Sequence, residues 1–294
     1  MKKIFFSLLF VVFTSSIFAC PYCGCGNSNF QIGVLPTFSN AFFGVRYTYS
    51  HFKTDSSSQF SSDYFHTAEF WGGYKIGKIQ AMVFVPYISI HKNSDDGNSD
   101  ANGLGDITAL VNYQVFSKTK NRTNNTVSVG GGVKFPTGKS LVDLNDPDFS
   151  IGEFSSTPGT GSWDYLLNAN HNFALGNNGV VTNVAYRINT ANPQQYRYGN
   201  RFYFNTVYYH AWNVGLFVFR PSLGLNLIAN AKNHFQNEEV MYSNGYVLSG
   251  TAGVNVQRGK IGLLLNGALP VAQNIFEGLT KSKERLSVAL TFSI

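Results

Sequence analysis

Apolar and polar residues alternate with a period of two along most of this chain. Val127, Val129, Gly131, Val133 and Phe135 fall on one side of an extended segment, and Ser128, Gly130, Gly132 and Lys134 on the other. Ile107, Ala109, Val111, Tyr113 and Val115 alternate in the same way with Thr108, Leu110, Asn112 and Gln114. Around Trp163, the set Trp163, Tyr165, Leu167, Ala169 and Phe173 opposes Asp164, Asn168, Asn170 and Asn172. A two-residue period predicts β-strands, because successive side chains of a strand point to opposite faces. Segments of this kind lie near 42–51, 65–76, 79–90, 105–117, 125–136, 162–174, 179–190, 201–211, 213–228, 245–257, 260–271 and 284–294.

The links between these twelve segments alternate in length. Those at Gly77-Lys78, Leu175 to Asn178, Trp212 and Gln257 to Lys260 read as tight, and Ser117 to Asn125 as modest. The links between them, such as His91 to Gly105 and Thr137 to Ser162, are long and polar. An even number of antiparallel strands, with short periplasmic turns and long extracellular loops, is the arrangement of a transmembrane β-barrel. The predicted fold class is therefore all-β, an antiparallel barrel of about twelve strands. In hydrocarbon every backbone N–H and C=O must be paired within the protein, which only a closed sheet achieves. The alternating last segment, with Leu286, Val288, Leu290, Phe292 and Ile294 on one face, is expected to pair with the first.

Composition supports this choice over a soluble β-sandwich. Only 13% of the residues are charged while 15% are aromatic and 29 are glycine, and a soluble surface would carry roughly 25% charge. Lys2 and Lys3, the apolar run Ile4 to Val12 and Ala19 have the layout of a secretory signal peptide. The run is too short for a membrane helix, which needs about 20 residues. The expected organisation is a signal peptide at 1–19, a cysteine-containing periplasmic segment at 20–40 and the barrel at 41–294. Its expected surroundings are outer-membrane lipid, a small-molecule or ion substrate and the barrel-assembly machinery. Nucleic acid is excluded despite the formal charge of +6, because the bases are scattered and a barrel offers them no groove.

Two glycine-rich motifs point further. Gly103-Leu104-Gly105-Asp106-Ile107 opens the fourth strand, and Gly131-Gly132-Val133-Lys134-Phe135-Pro136-Thr137-Gly138 closes the fifth. Together they resemble the outer-membrane transporters of the meta-pathway phenol-degradation type. The resemblance implies a barrel with a transport role. The residues themselves read as turn and strand-end chemistry, with Pro136 ending the ladder.

Alternation places Arg46, Glu69, Lys134, Arg187, Arg220 and Arg285 inside, beside Asn112, Gln114, Asn168, Asn170, Asn226, Asn255 and Asn266. These are the candidate lumen and selectivity residues, above all Arg46, Glu69, Lys134, Arg187 and Arg220. A polar, net basic lumen would pass anionic or neutral polar solutes, or would be an ion-paired filling that stiffens a narrow barrel. Acids concentrate in the predicted outer loops: Asp95, Asp96, Asp100 and Asp106 in one, Asp143, Asp146, Asp148, Glu153 and Asp164 in another. The predicted periplasmic turns carry only bases, including Lys75, Lys78, Lys118, Lys120, Arg122, Arg258 and Lys260.

The three cysteines, Cys20, Cys23 and Cys25, all follow the expected cleavage point. Three readings stand: a soft-metal site for Cu(I) or Zn(II) through thiolates, a lipid anchor on Cys20, or a periplasmic disulfide. Three sulfurs suit trigonal Cu(I) better than tetrahedral Zn(II). Enzymatic activity is not expected. Met241-Tyr242-Ser243-Asn244-Gly245 is similar to the His-x-Ser-Asn-Gly motif of twelve-stranded outer-membrane phospholipases, but Met stands where the general base belongs. A surface adhesin or structural barrel is the remaining alternative to a channel. Mass spectrometry of the mature N-terminus separates the cysteine readings: an unmodified, reduced Cys20 to Cys25 segment retaining one Cu(I) is the metal outcome, and a diacylated Cys20 ends it.

Overall fold

The computed structural model describes residues 41–56, 59–95, 97–138, 140, 142–146 and 149–294. The expected signal peptide and Cys20, Cys23 and Cys25 lie outside the described residues.

Twelve antiparallel strands form one closed sheet. They are β1 (Ala41–Ser56), β2 (Gln59–Ile76), β3 (Ile79–Ser94), β4 in two segments (Gly97–Leu104 and Thr108–Lys120), β5 (Thr123–Lys134) and β6 (Asp164–Leu175). Then follow β7 (Asn178–Asn189), β8 in two segments (Arg201–His210 and Trp212–Val214), β9 (Phe217–Asn230), β10 (Gly245–Arg258), β11 (Ile261–Ile275) and β12 (Thr280–Ser293). Each strand pairs with its neighbours in sequence, and β12 returns to pair with β1. That closing ladder runs from Phe42↔Ser293 to Thr54↔Thr280, with one irregularity between Ser50 and Phe52. No sheet edge is left to be satisfied by lipid.

The turns at one end have a common chemistry. Gly77, Asn121, Gly176, Gly215 and Gly259 each occupy the first position of a two-residue connection, with φ between 53° and 59°. Only glycine, or asparagine at modest cost, accepts this backbone freely. This end is the periplasmic one by the rule of short turns, and Lys75, Lys78, Lys118, Lys120, Arg122, Arg258 and Lys260 cluster there. One turn lies elsewhere than the sequence suggests. The chain reverses at Gly215-Leu216, not at Trp212, which continues β8 opposite Phe219. Trp212 is an exposed aromatic near the periplasmic boundary, where such residues belong.

At the opposite end, strands replace predicted loops. β3 and the first segment of β4 pair from Tyr87↔Leu104 to Ser94↔Gly97, through the stretch 91–105 that composition marks as a loop. β1 and β2 likewise pair out to Ser56↔Gln59. β2 has 18 residues, where a tilted membrane strand needs roughly 9–11, so these hairpins rise well above the bilayer. Three outer connections remain long, at 135–163, 190–200 and 231–244. They pack together over Val142, Phe154, Tyr196 and Tyr198, with a small three-stranded sheet made from Tyr196–Arg197, His234–Phe235 and Glu238–Glu239.

β4 breaks at 105–107 for a local reason. Pro86 of β3 lacks an amide to donate, and the break in the partner strand falls opposite it, with the Gly105 amide donating to the Pro86 carbonyl at 2.8 Å. The outward face carries the lipid-contacting residues. Val45, Val83, Val111, Val129, Leu167, Leu223, Leu265 and Val288 are exposed there. Phe43, Tyr74, Phe173 and Tyr208 flank them on the periplasmic side, and Tyr47, Tyr87, Tyr165 and Tyr186 on the outer side, as two aromatic girdles.

Glycines set how closely β4 and β5 approach. A Cβ on Gly132 would strike the Ala109 carbonyl oxygen and the Leu110 side chain, whereas one on outward Gly131 would come no nearer than 3.1 Å, to the Leu166 carbonyl oxygen. Gly132→Ala should therefore cost about 2 kcal/mol by overpacking, and Gly131→Ala much less. Urea unfolding of the two variants in liposomes checks the contrast, and equal stability would refute it.

Candidate functional site

The candidate site is the barrel interior. Charged side chains occupy it at three levels, each with different partners. On β1 and β2, Arg46 stands directly opposite Glu69, and the two form a buried ion pair. Buried pairs of this kind roughly balance desolvation against attraction, but either member alone would be costly.

The second level is the outer rim, where the two glycine motifs meet. Lys134, at the end of β5, forms salt bridges with Asp106 at 2.6 Å and Asp164 at 2.9 Å. Asp106 also accepts from the Gly138 amide at 2.9 Å, from the Thr160 amide at 2.9 Å and from the Thr160 hydroxyl at 2.6 Å. The Ile107 amide in turn donates to the Thr137 hydroxyl at 2.9 Å. The break in β4 thus aims Asp106 at both ends of the loop following β5, and the lysine holds the clasp together. Gly138 and Gly159 let the two loop arms touch, since a Cβ on either would collide with the other. Sequence composition counts Asp106 and Asp164 among the loop acids facing solvent. The structure corrects this: both are buried partners of Lys134.

The third level lies on the wall formed by β7, β8 and β9. Arg187 is buried with its guanidinium over the Tyr203 ring, 5.9 Å from the centroid. Arg201 stands directly opposite it on β8. Nearer the periplasmic end, half-buried Arg220 donates to Asn255 at 3.0 Å and Gln257 at 2.9 Å. Arg285, from β12, donates to the Ser50 hydroxyl at 3.2 Å. The neutral polar lining is bonded as well: Asn168 donates to Asn112, and Asn183 to Asn170, both at 2.7 Å.

The interior is less uniformly polar than the alternation suggests. Phe42, Trp71, Met82, Phe84, Leu110 and Leu166 form an inward apolar cluster. A second gathers Phe52, Phe65, Ile88 and Ile90 with Tyr203, Ile228, Val247, Ile275 and Phe276. Arg201, Asp106 and Asp164 are site residues that the sequence reading passed over. Extending the alternation of β8 by one step, Arg201-Tyr203-Asn205, would have found the first. Among the described residues no group of three or more His, Cys, Asp or Glu side chains is arranged to hold a metal.

Ser243, the serine of the lipase-like motif, is buried in the loop after β9. Its hydroxyl donates to the Val240 carbonyl and accepts from the Asn233 amide at 2.9 Å. That bonding makes it a loop staple.

Comparison with solved structures agrees with this architecture. An outer membrane channel from Pseudomonas putida F1 superposes with a TM-score of 0.66 over 90% of this chain and 98% of that one, at 14% identity. The chain has the fold of an outer-membrane β-barrel. The β domain of the Bordetella autotransporter BrkA aligns with a TM-score of 0.53, covering 87% of this chain and all of that one at 9% identity. The transport unit of the Escherichia coli autotransporter AIDA-I aligns with a TM-score of 0.52, over 91% and 95% of the two chains at 10% identity. No family model and no curated protein matches the sequence. Identities this low establish the shared barrel fold alone.

Asp106 sits above the spans, at the rim. Burial would raise its pKa, but the Lys134 charge and the bonds from Lys134 and Thr160 outweigh that, and the net direction is down. A depressed carboxylate stabilises the fold above its ordinary pKa of 3.8, and that contribution is lost as pH falls below it. The loop clasp of the wild-type barrel should hold at pH 5 and release in stronger acid, and Asp106→Asn should abolish this acid-dependent step. Lys134→Met, which strands two buried carboxylates, should cost about 3–5 kcal/mol. Limited proteolysis of the 138–160 loop across pH checks both, and a loop equally resistant in all three proteins would contradict them.

Proposed function

We propose that this protein is an outer-membrane channel for small solutes whose lining favours anionic and neutral polar species. The observation that carries the reading is the imbalance of charge on the inward face. Among the described residues, Arg46, Arg187, Arg201, Arg220 and Arg285 point inward against Glu69 and Asp63, and Arg46 and Glu69 form an ion pair with one another. Inside a low-dielectric wall such an excess attracts anions and repels cations more strongly than the same charges would in water. The other acidic groups stand apart from these. Asp106 and Asp164 are held by Lys134, while Asp95, Asp100 and Glu239 are exposed.

The resemblance carried by the 103–107 and 131–138 motifs supports a transport role for the same interior. Those motifs build the rim clasp that holds the long outer loop against the barrel, and a positioned loop is what a selective entrance requires. The proposal also attaches the Cys20, Cys23 and Cys25 thiolates to a soft metal, Cu(I) above Zn(II), on the periplasmic side where β1 begins. A lipid hydrolase is not proposed, given how Ser243 is bonded.

Planar-bilayer recording tests the reading. The protein should conduct, and its reversal potential in a KCl gradient should show preference for chloride. Arg220→Glu, at a half-buried position whose partners are neutral amides, should move the selectivity toward potassium. Conductance with unchanged selectivity would assign Arg220 to the wall's structure, and absence of flux in proteoliposomes would favour a non-conducting surface barrel.

A further inference from the structure

The outer hairpin that joins β11 to β12 does not rise straight from the wall. Its ladder runs regularly up to Ala268↔Arg285 and resumes only at Ile275↔Thr280. Six residues of β11, 269–274, therefore face four of β12, 281–284. A surplus on one strand bends it and re-aims the side chains beyond. Gln273 bridges the interruption. Its Nε2 donates to the Ser282 carbonyl at 3.1 Å, and its Oε1 accepts from the Ser282 amide at 2.7 Å.

Above the interruption, Phe276, Glu277 and Gly278 all have positive φ, at 51°, 54° and 93°. Glycine accepts such a backbone freely and asparagine at modest cost, whereas a bulky side chain strains it. A phenylalanine in this place is explained by where the turn puts its ring. Glu277 and Gly278 are exposed at the tip, but Phe276 is only 2% exposed. Two backbone bonds fix the hairpin in this pose. The Phe276 amide donates to the Asn244 carbonyl at 3.2 Å, and the Asp55 amide of β1 donates to the Leu279 carbonyl at 3.0 Å.

The ring of Phe276 joins an inward apolar belt. Phe52, Phe65, Ile88, Tyr203, Ile228 and Val247, from β1, β2, β3, β8, β9 and β10, belong to the same cluster. Ile88 follows the girdle residue Tyr87, so the belt lies at about the height of the outer aromatic girdle. A small void shows how far its members reach inward. Phe52 of β1 and Ile228 of β9 both line a cavity of about 10 Å³, scarcely the space of one water. Those strands are four neighbours apart round the ring, roughly 19 Å of wall at ~4.8 Å per strand. Side chains that start so far apart and share so small a void narrow the interior between them.

We propose that Phe276 sets the size limit of the passage at its outer mouth, the bent hairpin holding its ring against the belt. The inference rests on the channel reading and deepens it, by naming the residue that decides which solutes enter. A narrow apolar constriction admits slim solutes and resists hydrated ions, because water leaves it readily.

Single-channel recording in KCl and proteoliposome swelling with glycerol, glucose and sucrose test this. Folding of each variant is checked first by heat-modifiable migration in gels. Phe276→Gly suits the left-handed backbone and removes the ring. It should raise conductance about threefold or more and move the swelling cutoff to a larger sugar. Phe276→Asn, which also suits that backbone, carries the same expectation. Phe276→Trp keeps an apolar ring and enlarges it, and should conduct less than the wild type, a decrease that a loosened fold would not produce. A closed wild type that opens in Phe276→Gly would also support the inference. Equal conductance and equal cutoff in the folded wild type and variants would overturn it while leaving the channel reading intact. Absence of flux from wild type, Phe276→Gly and Phe276→Asn alike would overturn both.

Discussion

Closure of the sheet between β1 and β12 is the constraint from which the rest follows. Within hydrocarbon an unpaired amide costs several kcal/mol, so a row of them along two open edges would exceed the net stability of any domain of this size. The ladder from Phe42↔Ser293 to Thr54↔Thr280 removes both edges. Once the ring is closed, pleat alternation assigns every strand residue to lipid or to the interior, and a slip by one residue would exchange the two. The girdle of Tyr47, Tyr87 and Tyr165, the glycine approach of β4 to β5 and the inward arginines all depend on that single register.

The parts of this structure legible in the sequence are those where the surroundings impose a period. Between the aromatic girdles one face meets lipid, so Val127 to Lys134 or Leu286 to Ile294 announce a strand. Above the outer girdle both faces meet water or protein, and the same backbone geometry leaves no apolar stripe. That is why residues 91–105, rich in Asn, Asp and Ser, read as a loop although they continue β3 and β4. Trp212 misled for the converse reason. Isolated by composition, it looked like a turn, but it is a girdle residue, and the turn belongs to Gly215 with its positive φ. The clasp of Asp106, Lys134 and Asp164 depends on contacts across 28 to 54 residues, which no local pattern records.

Charge in the interior is gathered at three places on the wall. At the rim, one lysine faces two carboxylates. On the β1–β2 wall, one arginine faces one glutamate. On the β7–β8 wall, two arginines face each other. The cost of burial is met within the chain at the first two of these levels by opposite charges held in direct contact. The apolar clusters on either side of these groups lower the local dielectric and sharpen the contrast.

The rim clasp also bears on the order in which the molecule comes together. Neighbouring strands can zip through their two-residue glycine turns with little loop entropy to overcome. The bond from Thr160 to Asp106, by contrast, spans 54 residues and includes an arm that belongs to no strand. Asp106 is presented only after β3 and β4 have paired around Pro86, and Lys134 only after β5 has joined them. The long outer arm consequently has nothing to dock on until the wall beneath it exists. It is a late event by construction, and the barrel reaches its outer surface with its staves assembled before its lid is latched.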